Sequence, residues 1–511
     1  MKILSMFLLF ALGCTGAARA DTFTVTRFDD PAPDPCAPGD CSLREAALAA
    51  DANDALGPID VIVLAGGNYN LTQGELPLHQ KLIVQGAGAS VTHVTTDAIL
   101  FDGHDLSLDL RRLSMQTSAS PVVRIGNNGT LLLDDVATPA GGGSVVVYGT
   151  SSDLQIRNSD LRQLVGCAQT AGTCSIIDSQ LTYLSTTSTS VPGPAVLLSG
   201  SLMDGALDPG GMFSGIVLNH AASIEIEDST ITHTTLGLHD VEDPLASVHL
   251  HRLIYTDNAA PIRFGGVLNY ENSTDVLITD SVLDSNPIRA IFANGQSTWF
   301  ISGTSFVGNS VNGNAGGAVV VEESVTMHIE NSTFSGNTFA AEAAQAGARG
   351  AAIGYRNGSG LHVDVQHVTI VPPTITVFGI QGNGIAGYGG TGAVVVDISN
   401  SILAGSCSFD SGALHTAVGN IESPGHSCGL SAATNQIDVS STNLARGSLG
   451  DHGGPTPTYE PSPASVAVDA ASQGQCLALD QRRYLRPAGA GCDVGAVEVG
   501  AIERIFANGF Q

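Results

Sequence analysis

The sequence predicts an all-β chain wound into a single right-handed parallel β-helix, closed at its N-terminal end by one short helix. Three observations carry this. The 511 residues include 61 glycines, only 13% charged residues and few helix-forming runs, a composition suited to many short strands and tight turns. One pattern recurs between about residues 100 and 405: alternating apolar residues, an Asn-Ser or Asp-Ser or near equivalent, then a second short apolar stretch. The one clear helix start lies ahead of these repeats, at Ser42.

In chain order, MKILSMFLLFALGCTGAARA (1–20) has a lysine, an apolar run and an A-x-A end, which predicts a signal peptide cleaved after Ala20. The stretch around Cys14 makes a poor lipobox. No later apolar run reaches the 18 or so residues that a spanning helix needs, so the expected product is secreted or held at the outer cell surface, without a transmembrane helix. Residues 21–98 read as a cap with the first coils, 99–405 as β-helix repeats, 406–498 as C-terminal coils and a terminal segment, and 499–511 as a tail.

In the cap, CAPGDCSLREAALAADAND (36–54) has Ser42 at an N-cap and Glu45 three residues on, a capping box. Leu43, Ala46, Ala47, Leu48 and Ala50 then offer an apolar face, and Asn53, Asp54 and Gly57 end the helix. A solenoid exposes its core at its first coil, and this helix is placed to plug it.

The repeats include DLQIRNSDLRQL (153–164), SIEIEDSTITHT (223–234), SVHLHRLIYTDN (247–258), DVLITDSVLDSN (275–286), MHIENSTFSGNT (327–338) and VVDISNSILAGS (395–406). Period-2 alternation predicts strands, and repetition at about 20 to 36 residues predicts a solenoid. Asn and Asp suit its corners because they tolerate left-handed backbone angles. A dozen or more coils about 4.8 Å apart would make a rod of roughly 55–75 Å. A β-sandwich would instead show Asn-Gly or Asp-Gly hairpin turns at regular intervals.

Without Cys14 there are eight cysteines, in sequence-neighbour pairs: Cys36/Cys41, Cys167/Cys174, Cys407/Cys428 and Cys476/Cys492. An exported chain favours disulfides, and four local loops are the simplest of the 105 or so connectivities. No clustered C-x-x-C pairs point to zinc. The formal charge is -28 from 48 acidic and 20 basic side chains. Such a surface repels nucleic acid and disfavours polyanionic glycans unless calcium bridges the two. No cofactor is called for, and calcium is the one ion this charge balance leaves open.

Chemistry is sparse. The N-T-D, G-H-G and R-I-K blocks of polygalacturonase-type enzymes are missing, and only the D-D pairs Asp29-Asp30 and Asp134-Asp135 occur. Arg157 and Asp160 lie on one repeat without further marks of a lyase base. The best constellation comes from aligning two repeats. If Ile224, Ile226, Val248 and Leu250 point inward, Glu225 and Glu227 stand outward beside His249 and His251, a set that could bind a metal or move protons. The bland counterpart is a cross-strand ladder on a solvated sheet. His328, Glu330, Asp364 and Asp397 would continue the stripe. The single tryptophan, Trp299, reads as a strand-edge packing residue rather than a sugar platform.

Both ends carry a resemblance. CSLREA (41–46), with TFTVT before it and GPIDVIVLAGGNYNLT after it, resembles the CSLREA domain of exported bacterial β-helix proteins. GGPTPTYEPSPASVAVDAA (453–471) and CLALDQRRYLRPAGAGCDVGAVE (476–498) resemble the terminal segment of the choice-of-anchor Q family, with Arg483 where that family usually has glycine. FVGN (306–309), FSGN (334–337) and GGAV (316–319) are similar to repeats of polymorphic outer-membrane proteins. The resemblance implies an exported right-handed β-helix of the pectin lyase-like kind, often held at the cell surface, and it supplies no catalytic residues. The tail VGAIERIFANGFQ is similar to short C-terminal tags of exported proteins.

The expected function is therefore an exported rod presenting an elongated face for adhesion or binding, its partner a surface glycan or a component of a host or neighbouring cell. A polysaccharide lyase or hydrolase is the alternative, walled by inserts around 185–215 and 339–360, and a structural spacer is the third.

Overall fold

The structure, a computed structural model, describes residues 20–52, 59–76, 78–186, 193–207, 213–240, 247–264, 274–311, 316–339, 350–358, 360–373, 384–390 and 392–502. Nearly all of the expected signal peptide, the expected helix-ending Asn53, Asp54 and Gly57, most of the tail and much of the inserts at 185–215 and 339–360 lie outside the described residues.

The chain is a right-handed parallel β-solenoid, as its repeats predict. Three faces run along it. The long face is a ladder of sixteen parallel strands, from Thr22–Thr24 through Ser223–Glu227 and Thr326–Glu330 to Leu414–Val418. At about 4.8 Å per rung it is roughly 70 Å long. A second face follows one corner later, with short strands such as Ile254–Thr256, Val282–Asp284, Ser305–Val307 and Thr333–Ser335. A third face includes Gly237–Asp240, Ile262–Arg263, Ile291–Ala293 and Val319–Glu322. Alternate residues of each strand point inward and form one continuous apolar core.

The corner after the long face explains the repeated Asn/Asp-Ser. Arg112, Asp135, Asn158, Asp178, Gly200, Asp228, Arg252, Asp280, Gly303, Asn331, His367, Asn400 and Gly419 occupy it in successive coils, all with φ between +44° and +70°. Asn, Asp and Gly bear this left-handed angle at least cost, which is why they dominate the position. The buried serine that follows supplies what the bend takes from the backbone. Ser179 Oγ accepts the Ser159 N–H at 3.1 Å and donates to the Ile177 carbonyl at 2.7 Å, and Ser201 and Ser229 repeat the arrangement. At the far end of the second face, Asn258, Asn286, Asn309 and Asn337 stack into a buried ladder. Asn309 Oδ1 accepts from Asn286 Nδ2 at 2.8 Å, and Asn337 Oδ1 accepts from Asn309 Nδ2 at 3.0 Å.

The helix Leu43–Asp51 caps the first coils with the expected capping box. Ser42 Oγ accepts the Glu45 N–H, and Glu45 Oε2 accepts the Ser42 N–H at 2.7 Å. Leu48 departs from expectation. It is 37% exposed, because Leu43, Ala46, Ala47 and Ala50 already fill the contact with the solenoid. Arg44 is buried instead, forked onto Asp30 at 2.8 and 3.0 Å and bonded to the Gly74 and Glu75 carbonyls.

All four disulfides join sequence neighbours, Cys36–Cys41, Cys167–Cys174, Cys407–Cys428 and Cys476–Cys492. Beyond the last coil the chain turns back along the second face. Gln481 bonds Ser305 and Thr333, Ser335 bonds Tyr459, and Arg483 reaches Asp280. The segment is knotted together by fully buried Arg486 and Glu498, 3.0 Å apart, with the Asp493 and Ala488 N–H groups on the same carboxylate.

Candidate binding surface on the long face

On the long face, outward side chains one rung apart form straight columns. One column reads Leu197, Glu225, His249, Leu277, Phe300, His328, Asp364, Asp397 and Thr416. Its neighbour reads Ser199, Glu227, His251, Thr279, Ser302, Glu330, Gln366 and Ser399. Glu225 therefore stands opposite His249 and Glu227 opposite His251, in the register read from the repeats. The side chains do not converge, however. Glu227 accepts from Ser199 Oγ on the preceding rung at 3.0 Å, while His251 Nδ1 lies 2.8 Å from Thr279 Oγ1 on the following one. No hydrogen bond or ion pair joins these glutamates to these histidines, and no group of three or more His, Cys, Asp or Glu is placed to hold a metal ion among the described residues.

Three rungs beyond His249 and His251, acid–base contacts do gather. His328 Nδ1 is 2.7 Å from Asp364 Oδ2, and Nε2 is 3.3 Å from Glu330 Oε2, whose other oxygen accepts from Ser302 at 3.1 Å. The bonds to Asp364 and then Glu330 raise His328 to about 9 against the opposing effect of burial. Asp397 sits one rung beyond Asp364, a like-charge pair that a parallel ladder places side by side. His362 Nε2 at 2.9 Å and His415 Nδ1 at 3.0 Å both face Asp397. Burial alone would raise this carboxyl, but its bonds to His415, Thr416 and His362 outweigh that and hold it below its ordinary value. Phe300, 37% exposed, stacks on the His328 ring with centroids 5.0 Å apart and planes at 17°.

His328, Glu330, Asp364 and Asp397 thus meet in the stripe the sequence pattern extends to them. His362 and His415 escape that pattern. His362 shares a strand with Asp364 and was legible from the same alternation, whereas His415 enters through a register shift between Val396 and Asp397 that no repeat announces. The remaining candidates hold the fold. Asp29 pairs with Arg27 and Asp30 with Arg44, Asp134 accepts from Asn158, and Asp160 pairs with Arg162. Trp299 points inward rather than lying at a strand edge. It is fully buried, its Nε1–H donating to Ser297 Oγ at 2.9 Å, because an inward position in this coil leaves room for a large ring beside Phe264.

Residues 210–370 match the family model of the right-handed β-helix region. That span includes six rungs of the long face and the Phe300–His328 stack. No curated protein matches the chain. Among solved structures, pectate lyase Pel9A aligns at 13% identity over 94% of this chain and 97% of its own, with a TM-score of 0.22, a likeness too slight to carry an argument. No helix among the described residues is long and apolar enough to cross a membrane.

Proposed function

We propose that this is an exported, non-catalytic β-helix protein whose long face binds an extended ligand, a glycan of a cell surface or its surroundings. The observation that carries the reading is the exposed Phe300 ring, stacked on His328 in the middle of the ladder, beside rungs where His328 is bonded to Asp364 and His362 to Asp397. An aromatic face beside fixed polar groups suits a sugar ring, which presents C–H groups to the ring plane and hydroxyls at its edge. Histidines and carboxylates engaged in pairs suit recognition better than proton transfer, which needs a group free to face the reacting atom. The leader-like first twenty residues, the four disulfides and the resemblance of both chain ends to surface β-helix proteins support export.

The test is affinity electrophoresis of residues 21–511 through a panel of neutral and acidic polysaccharides, with and without calcium, alongside an assay for new reducing ends and unsaturated uronates. The reading expects retardation by at least one polymer, weakened by Phe300→Ala, with no product. Product that disappears when His328 and Asp364 are both replaced would favour a lyase or hydrolase on this face. Retardation by none of the polymers would favour a spacer.

A further inference from the structure

A cleft of about 310 Å³ opens on the third face, away from the candidate surface. Its floor is Phe292, with the Arg263 guanidinium 5.2 Å and the Arg289 guanidinium 5.4 Å from the ring centroid. Pro261 and Ile288 contribute apolar walls, and His239 stands opposite Arg263 on the adjoining rung. His239 Nδ1 is 3.0 Å from the Leu236 carbonyl, and burial lowers its pKa, so it lines the cleft as a neutral ring.

The two arginines are out of keeping with the rest of the chain. Among the described residues ten arginines pair with carboxylates, in a protein with 28 more acidic than basic side chains. Arg263 and Arg289 have no carboxylate within ion-pair distance among the described residues, and Arg289 Nε is buried without a hydrogen-bond partner. The acid that would be expected to serve Arg289, Glu322, accepts a hydrogen bond from the Tyr388 hydroxyl. A buried, unsatisfied guanidinium nitrogen is costly and is ordinarily compensated by an anion.

We propose that this cleft binds a small organic carboxylate with an apolar body, its charge held by Arg263 and Arg289 and its body laid on Phe292. The volume suits a ligand of that size, and the mixture of apolar walls with two convergent cations matches an amphiphilic acid better than inorganic phosphate or a fully hydroxylated sugar.

Calorimetric titration of residues 21–511 with benzoate, its neutral counterpart benzamide, and glucuronate tests this. Benzoate is expected to bind saturably, with benzamide and glucuronate each weaker by about tenfold or more. Arg263→Met and Arg289→Met should each weaken benzoate by about tenfold with unchanged thermal midpoints, whereas Arg157→Met on the long face should leave it unchanged. Equal binding of benzoate and benzamide, preference for glucuronate, indifference to both cleft substitutions, or no benzoate binding would each overturn the proposal.

Discussion

His328 Nδ1 stands 2.7 Å from Asp364 Oδ2 on the next rung of the long face, and its second nitrogen faces Glu330 at 3.3 Å. Both ring nitrogens meet carboxylates, so the imidazolium is the form this surface holds. The arrangement follows from the solenoid itself. Parallel stacking puts identical outward positions in contact, and a run of carboxylates there would repel unless cations were interleaved. His328, held between Asp364 and Glu330, supplies such a cation, and it makes the face sensitive to alkali.

The His328 pKa, raised to about 9, fixes the direction of that sensitivity. A histidine bound more tightly to its proton in the folded state adds stability that is complete below about 6.5 and is lost as pH climbs through about 9. The difference amounts to roughly 3 kcal/mol at most. Urea unfolding at pH 6 and pH 9.5 should show the decline, and Asp364→Asn should flatten most of it. An NMR titration placing the His328 ring near its ordinary value would dismiss this account.

His367 carries the opposite sign. It occupies the left-handed corner at φ +49°, fully buried, with Nε2 3.1 Å from the Asn400 amide nitrogen and Nδ1 3.4 Å from the Gly495 carbonyl. Burial, and then the nearby Arg486 charge, push it down to about 3. A depressed histidine stabilises above its unfolded value of about 6.5, and that stability is lost as pH falls toward 3. Asparagine occupies the same corner in two neighbouring coils, at Asn331 and Asn400, so His367→Asn should fold. Relative to the parent, the variant should lose less stability between pH 7 and pH 4. Identical acid profiles would mean that His367 does not govern this range.

The corner residues also mark how far the sequence could be read. Asn158-Ser159, Asp178-Ser179 and Asp228-Ser229 announce a bend because the left-handed angle and the buried hydroxyl both demand particular side chains. The same positions held by Arg252 and His367 are silent, since the backbone tolerates them without requiring them. The register of Glu225 against His249 was legible because inward isoleucines fix it, one rung to the next. The divergence of Glu227 and His251 toward Ser199 and Thr279 was not, because it depends on rotamers set by rungs outside the aligned pair. The Arg263–Phe292–Arg289 cleft was beyond reach as well. It joins residues from a strand, a loop and the next rung, on a face whose strands are too short to show alternation.

Asn309 holds three coils together. Its side-chain oxygen accepts from Asn286 N and Nδ2, while its Nδ2 donates to the Leu283 carbonyl at 2.9 Å and to Asn337 Oδ1 at 3.0 Å. Replacement by alanine strands a backbone N–H and a carbonyl in a dry interior. The cost is about 3 kcal/mol, read as a lower urea midpoint. Thr326→Ala, on an exposed outward position of the long face, should change it by less than about 0.5 kcal/mol. A loss at Asn309 no larger than that of the control would mean the ladder is redundant.

Arg483 combines two opposing effects. Its φ of +70° lies in the left-handed region, where a side chain costs about 1 kcal/mol over glycine. Its guanidinium forks onto Asp280 at 2.8 Å from both nitrogens, tying the C-terminal segment to a corner of the long face more than two hundred residues earlier in sequence. Arg483 is itself partly exposed, so that pair contributes at most about 1 kcal/mol. Arg483→Gly should therefore stay within about 1 kcal/mol of the parent, with the lost ion pair offset by the relieved backbone. Arg483→Val loses the pair, keeps the strained angle and adds β-branching, so it should fall below both by more than about 1 kcal/mol. Thermal unfolding of the three proteins gives the order. If the glycine variant proves as weak as the valine variant, the ion pair rather than the backbone angle governs how this segment holds to the rod.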